Sequence, residues 1–306
     1  MNKRQKQVQQ SLLKSELEVI EELEKSYQKA IDDINRVVTS LLARKDTENL
    51  QAIIYQVKYQ NALKKELEGF LSVLHTRNYT LIDNYLKDCY ENAHIGTLFD
   101  LQGQGIPLIL PLDQEQMISA ITLNSKLSAP LYNALGYNID YLKTSVRQEI
   151  SRGIAQALSF QEIARNIKNT TNVDYNKSLR IAKTEGHRIQ CESAYNVQVR
   201  AKQKGADIVK QWDSTLDSRT RPTHQKLDGE VVGVNEKFSN GLLYPGDSNG
   251  VASEVVNCRC ALLQRAKWAL TDEEFTKMNG KTNELQHFES VDDYSKFKKI
   301  FWEVTK

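Results

Sequence analysis

No glycine or proline interrupts residues 1–68. A chain without either residue has few local reasons to turn, and the apolar pattern there is helical. Leu13, Leu17, Ile20, Leu23, Tyr27, Ile31, Ile34, Val38 and Leu41 recur at three- and four-residue steps, which places them on one face. The spacing predicts a first helix to about Ala43, spanning ~60 Å at 1.5 Å per residue, then a break and N-cap at Asp46-Thr47. A second stripe, Leu50, Ile53, Ile54, Val57, Leu63, Leu67, Phe70, Leu71 and Leu74, completes a long antiparallel helical hairpin or bundle. Core packing accounts for both stripes; a coiled-coil arm that docks on a partner protein is the sharper alternative.

Gly96, Gly103, Gly105, Pro107 and Pro111 mark residues 96–112 as a linker-like interruption, with at most a short extended piece at Ile106–Pro111. Helical patterning resumes at about Gln114. A capping box, Ser159-Phe160-Gln161-Glu162, opens a short helix with Ile163, Ala164 and Ile167 inward. Another helix is expected from Asp174 to Lys204, stopped by Gly205. Its stripe of Leu179, Ala182, Gly186, Ile189, Ser193 and Val197 is rich in small residues and implies close packing. Beyond Gly205, Ile208–Trp212 and Val255–Leu263 read as strands flanking a long loop, with Val231-Val232 as a third short strand. Thr271-Asp272-Glu273-Glu274 is a second capping box, and a last helix is expected over Asp292–Glu303. The fold class is therefore mainly α, with an N-terminal helical region (1–110), a connecting helical segment (111–150), a small α+β module (151–270) and a helical tail (271–306).

A chain of 306 residues has room for one large domain or two smaller ones. Hydrophobic content of 40% beside 26% charge excludes wholesale disorder. No apolar run approaches the roughly eighteen residues that span a bilayer, and the basic N-terminus leads into Lys14, Glu16, Glu18 and Glu21, not into a signal-peptide core. No membrane partner or secretion signal is expected. Cys89 and Cys191 are isolated, and Cys258 and Cys260 are too close for an easy bridge, a usage that fits a reducing cytoplasm. The net charge of +2 hides a basic stretch at 177–204, where seven basic residues face Glu185 and Glu192.

The chemistry concentrates between Trp212 and Cys260. Cys258 and Cys260, two apart in a strand, would point to one face and Arg259 to the other. With His224 they supply three soft ligands suited to zinc, the fourth being Asp213, Asp217, His187 or water. The alternative is that both thiols pack as small apolar groups and His224 bonds a backbone carbonyl. Asp217, Arg219, Arg221 and Asp228 fit a salt-bridge and turn network, for which Glu185 and Arg188 are candidate partners. The catalytic alternative uses His224 as general base with Asp217 or Asp228 orienting it or holding a metal, a nuclease-like site. No separate nucleophile or phosphate-cradling glycine loop accompanies it. Lys183, Arg200, Lys202 and Lys204 belong either to a solvated helix face or to a surface that meets double-stranded DNA through phosphates, without sequence preference.

These residues together resemble the phage Mu F-like minor head, or head morphogenesis, protein family of tailed phages. The match lies in Arg180-Ile181-Ala182-Lys183-Thr184-Glu185-Gly186-His187-Arg188, Trp212, Asp217-x-Arg219-Thr220-Arg221-x-x-His224-x-x-Leu227-Asp228-Gly229, Phe238, Tyr244-Pro245-Gly246-Asp247 and Asn257-Cys258-Arg259-Cys260. It covers about residues 150–265. The resemblance implies a virion component present in few copies inside the head near the portal, assisting head assembly and the handling of packaged DNA, after assembly in the host cytoplasm. Portal, other head or scaffold proteins and DNA are the implied partners. Where some members carry C-P-x-C in the loop, this chain has Arg221-Pro222-Thr223-His224, so His224 replaces one cysteine and Arg221 removes another. Some relatives carry a toxin or transferase domain after this block; with 46 residues following Cys260, an appended enzyme is not expected. The reading is a non-enzymatic assembly protein, with a metal-dependent nuclease or a non-catalytic DNA-binding module as alternatives.

Overall fold

The computed structural model describes residues 1–43, 57–122, 131–215, 217–269 and 293–305. Helices α1 (Lys3–Leu42), α2 (Val57–Gly103), α3 (Gln114–Thr122), α4 (Leu131–Ala155) and α5 (Phe160–Gln203) precede strand β1 (Ile208–Asp213). After them come α6 (Pro222–Lys226), β2 (Val231–Gly233), α7 (Ala252–Val255), β3 (Ala261–Ala266), a 3-10 turn and α8 (Tyr294–Val304). The protein is mainly α with a small α+β part near the C-terminus, as the patterning predicts. The expected break at Asp46-Thr47 and the capping box at Thr271 lie outside the described residues.

Two compact units interleave along the chain. Met1–Glu16, Tyr85–Lys126 and Lys183–Lys306 form one; Leu17–Asn84 and Leu127–Ala182 form the other. The sequence reading laid the parts out serially; instead α1, α2 and α5 each contribute to both units. Helices of 40, 47 and 44 residues are several times the usual ~10–14, long enough to serve two cores.

The all-helical unit closes around Tyr27, Ile34 and Val38 of α1, Leu67 and Leu71 of α2, Leu142 and Val146 of α4, and Ile163 and Ile167 of α5. Glu22 meets Arg77 at 3.3 Å and Asn2 meets Asp100 at 2.7 Å, so α1 and α2 run antiparallel as predicted. The α1 stripe holds from Leu23 to Val38. Leu13 and Leu17 are exposed, however, and Leu12 and Val19 are buried in their place. The reason lies at Gly96, where an added Cβ would sit 2.4 Å from Val8 Cγ1. Seating Val8 there turns the Val8–Leu12–Val19 line inward.

That contact also corrects the linker reading. α2 continues through Gly96 to Gly103, and Gly103 leaves room for the Arg4 side chain. The chain then turns at Gly105, in the left-handed region (φ 81°), and Ile106 and Leu110 are buried with Phe99, Val197, Phe297 and Phe301. These glycines mark close approach of side chains, not a boundary.

The two helices expected over 159–204 are one. Ser159 and Glu162 do form the reciprocal capping box, with Ser159 N donating to Glu162 Oε2 at 2.9 Å and Glu162 N to Ser159 Oγ at 3.3 Å. From there α5 runs unbroken and stops ahead of Gly205 (φ 92°). The sheet has order β2-β1-β3, antiparallel throughout, pairing Lys210 with Val232 and Trp212 with Leu262. The strand expected from Val255 starts only at Ala261. Residues 252–255 make a helical turn and Asn257 adopts φ 56°, so Cys258 and Cys260 sit in a bend leading into β3. No described helix is long and apolar enough to cross a membrane.

Candidate functional site

The loop between β1 and β3 is built on Trp212, which is fully buried. Its ring meets the His224 ring edge-on at 5.3 Å and Phe238 at 5.2 Å. Its backbone exchanges hydrogen bonds with Gly229 N and Glu230 O. Gly229, at φ 74°, supplies the left-handed turn that returns the chain toward β1. Asp228 accepts Ser214 N at 2.8 Å, fixing the exit from β1.

Asp217 faces Arg259 through two parallel bonds of 2.7 and 2.8 Å. It also accepts Arg219 N at 2.9 Å and Thr220 Oγ1 at 3.1 Å. Arg259, first, and these donors hold its carboxyl well below the usual carboxylate range. Arg221 donates to Val256 O, and Thr215 Oγ1 donates to Arg259 O at 2.9 Å. Thr215 and residues 217–221 are thereby stitched to residues 256–260. The Arg219 side chain points outward, exposed.

Behind this clasp lie His224, Cys258 and Cys260, all buried. His224 Nδ1 is 3.6 Å from Cys258 Sγ and 3.4 Å from Cys260 Sγ, while Nε2 is 2.9 Å from Glu254 Oε2. Burial works against a charge on the imidazole, but Cys260 and Glu254 prevail and raise its pKa. The hydrogen bond from Cys258, with help from His224 and Ser214, lowers the Cys260 thiol below its ordinary range, while that same bond and burial push Cys258 up. These three are the described residues whose donor atoms gather as a metal-ligating group; Asp213, Asp217 and His187, weighed as a fourth ligand, stand outside it.

Glu185 and Arg188 do not partner the loop's charges, as the sequence reading supposed. Arg188 Nε donates to Glu185 at 2.8 Å, NH1 to Glu192 at 2.6 Å and NH2 to Ala120 O at 2.7 Å, all buried. The α5 surface reaches the loop through its neighbours. His187 Nε2 lies 2.6 Å from Cys260 O, and Asn257 N donates to Thr184 Oγ1 at 3.3 Å.

Residues 144–263 match the family described as Phage Mu protein F like protein. The chain is also 23% identical over 256 residues to the minor head protein GP7 of Bacillus phage SPP1, covering 79% of this chain and 80% of that protein. Over residues 144–263 the chain is similar to the Mu F-like head morphogenesis family. A second relative, an NAD(+)--arginine ADP-ribosyltransferase EFV of Enterococcus faecalis, is 30% identical over 305 residues, 96% of this chain. The chain spans 60% of that protein's length. No solved structure matches.

Within the Mu F-like segment, the motif residues fall into three groups. Trp212, Asp217, Arg221, His224, Asp228, Asn257 and Arg259 converge on the loop, with Arg219 exposed on it; Glu185 and Arg188 form the buried network on α5; Arg180 is exposed on α5. Of the basic residues, Lys183 pairs with Glu16 at 3.5 Å and Arg200 donates to Pro111 O at 2.9 Å, while Lys202 and Lys204 are exposed. Sequence reasoning missed Glu192, which the i, i+4 step from Arg188 signals, and Glu254 and Ser214, which carry no local signal. It also missed Lys210. This lysine is fully buried on β1, donates to Leu243 O at 2.7 Å and lies over the Tyr195 and Phe238 rings. Burial lowers its pKa to about 8.

Proposed function

We propose that this chain is a minor head protein of a tailed phage or prophage, carried in the virion head. In this reading it contacts the portal and other head or scaffold proteins and acts in head assembly and the handling of packaged DNA. Its loop is a structural device, not a catalytic one. The observation that carries this is the destination of the motif side chains: Asp217, Arg221, Asp228 and Arg259 all bond within the loop and close it. The relative named as a minor head protein aligns over 80% of its own length, which supports the same reading.

A nuclease would need His224 within reach of a substrate proton, with a carboxylate orienting it. His224 is 1% exposed, and its nitrogens face Glu254 on one side and two sulfurs on the other. Asp217 and Asp228, the other members of that arrangement, are committed to Arg259 and to Ser214 N. A nucleophilic Cys260 meets the same obstacle, being 2% exposed. DNA contact in this reading is secondary and sequence-independent, through Lys202 and Lys204 with Arg200 beside them.

His224→Ala separates structure from catalysis. The structural reading expects a lower thermal midpoint and loosened C-terminal structure in the purified chain. An unchanged fold that loses DNA cleavage shown by the wild type would reverse it.

A further inference from the structure

We infer that His224, Cys258 and Cys260 bind a zinc ion that staples the loop of the Mu F-like module. The inference rests on the structural reading of that loop and gives it a ligand. Three soft donors from two separated stretches meet at one point, within 4.8 Å of one another and buried. A tetrahedral zinc ion with Zn–S of about 2.3 Å and Zn–N of about 2.1 Å holds nitrogen and sulfur about 3.6 Å apart. The observed separations from His224 Nδ1, 3.6 and 3.4 Å, are those of neighbouring ligands on one ion.

Hydrogen bonding alone accounts for less. Nδ1 carries either one proton or one lone pair, so it serves one sulfur at a time, and here two sulfurs face it. The far side of the ring supplies the second observation. Glu254 Oε2 sits 2.9 Å from Nε2, the carboxylate–histidine arrangement that fixes the tautomer and leaves the other nitrogen free to ligate. Ser214 Oγ donates to His224 O at 2.6 Å, holding the residue from its backbone side.

The C-x-C pair is preset as well. Asn257 in the left-handed region bends the chain ahead of Cys258. Arg259 is drawn outward to Asp217, and the Cys260 carbonyl lies against His187 Nε2 at 2.6 Å. Both thiols are thus turned inward by contacts made with other groups. Asp213, Asp217 and His187 all stand outside the cluster, which leaves the fourth position to water. Cys258 lines a cleft of about 670 Å³, shared with Arg219 and Arg221, which brings solvent up to one of the three ligands.

The test uses the full chain, reduced, stripped with a chelator and reloaded with zinc or cobalt(II). One zinc per chain by elemental analysis, with cobalt giving the intense visible bands of a tetrahedral thiolate site, is the expected result. Cys258→Ser and Cys260→Ser are expected to abolish both. Glu254→Gln, which keeps all three ligands, is expected to weaken zinc roughly 10–100-fold, so the reading survives even if a ligand variant fails to fold. Folded wild type that retains only trace zinc and shows no cobalt bands overturns the site; if His224→Ala still lowers the thermal midpoint, the structural loop stands without it. Zinc that binds but whose removal leaves the midpoint and the loop's protease resistance unchanged overturns the staple and the structural reading together.

Discussion

Asp217 and Arg259, 42 residues apart in the chain, face each other through two parallel hydrogen bonds of 2.7 and 2.8 Å. The pair joins the two ends of the loop from outside, while His224 meets Cys258 and Cys260 from within. Both side chains remain partly exposed, at 33% and 42%, so the pair contributes to local closure more than to global stability. Arg259→Ala is therefore expected to speed protease nicking across 214–221 with little change in the thermal midpoint. Equal nicking rates in variant and wild type would contradict this.

The Glu185–Arg188–Glu192 network behaves differently because it is buried. Removing the cation leaves two carboxylates without their shared partner, and such a loss typically costs about 3–5 kcal/mol. Urea unfolding of Arg188→Met is expected to show a loss of that size. Replacing all three residues with apolar side chains of similar volume is expected to recover most of it.

His94 gives the pH dependence a sign. It is enclosed beside Phe301, with Nε2 2.7 Å from Leu110 O, and burial holds its pKa at about 4, below the ordinary 6.5. The unfolded chain thus takes up a proton that the folded chain resists. Its contribution is complete above about pH 6.5 and is lost as pH falls through about 4, by up to about 3 kcal/mol. His94→Gln, which keeps a donor for Leu110 O, is expected to flatten that part of the stability profile measured by chemical denaturation.

Lys210 contributes with the same sign in a higher window. Its pKa of about 8 lies below the ordinary 10.5 because burial disfavours the charged amine. Stability therefore rises as pH climbs from about 8 toward 10.5 and is lower below it. Lys210→Met, which keeps the stem's packing against Tyr195 and Phe238, is expected to be neutral or stabilising at pH 7 and to abolish that rise.

Much of this architecture was legible where a local rule decides it. The helical stripe from Leu23, the Ser159–Glu162 box and the stop at Gly205 follow from spacing and caps alone. What escaped depends on contacts distant in sequence. Gly96 and Gly103 read as a linker because the side chains they admit, Val8 and Arg4, lie some ninety residues away. Leu13 and Leu17 fit the helical period but not the surface that α1 meets. Glu185 and Arg188 were recognisable as a motif, yet their partner Glu192 lies on their own helix and not in the loop. Among the loop residues, Cys258 and Cys260 both approach His224 from a bend and not from the strand whose alternation predicts one shared face.

The most direct test of the proposed minor head role is quantitative mass spectrometry of purified heads and procapsids from the producing strain, measured beside the portal and major capsid proteins. A few copies per particle, co-purifying with the portal, is the predicted result. Absence from both heads and procapsids would contradict it.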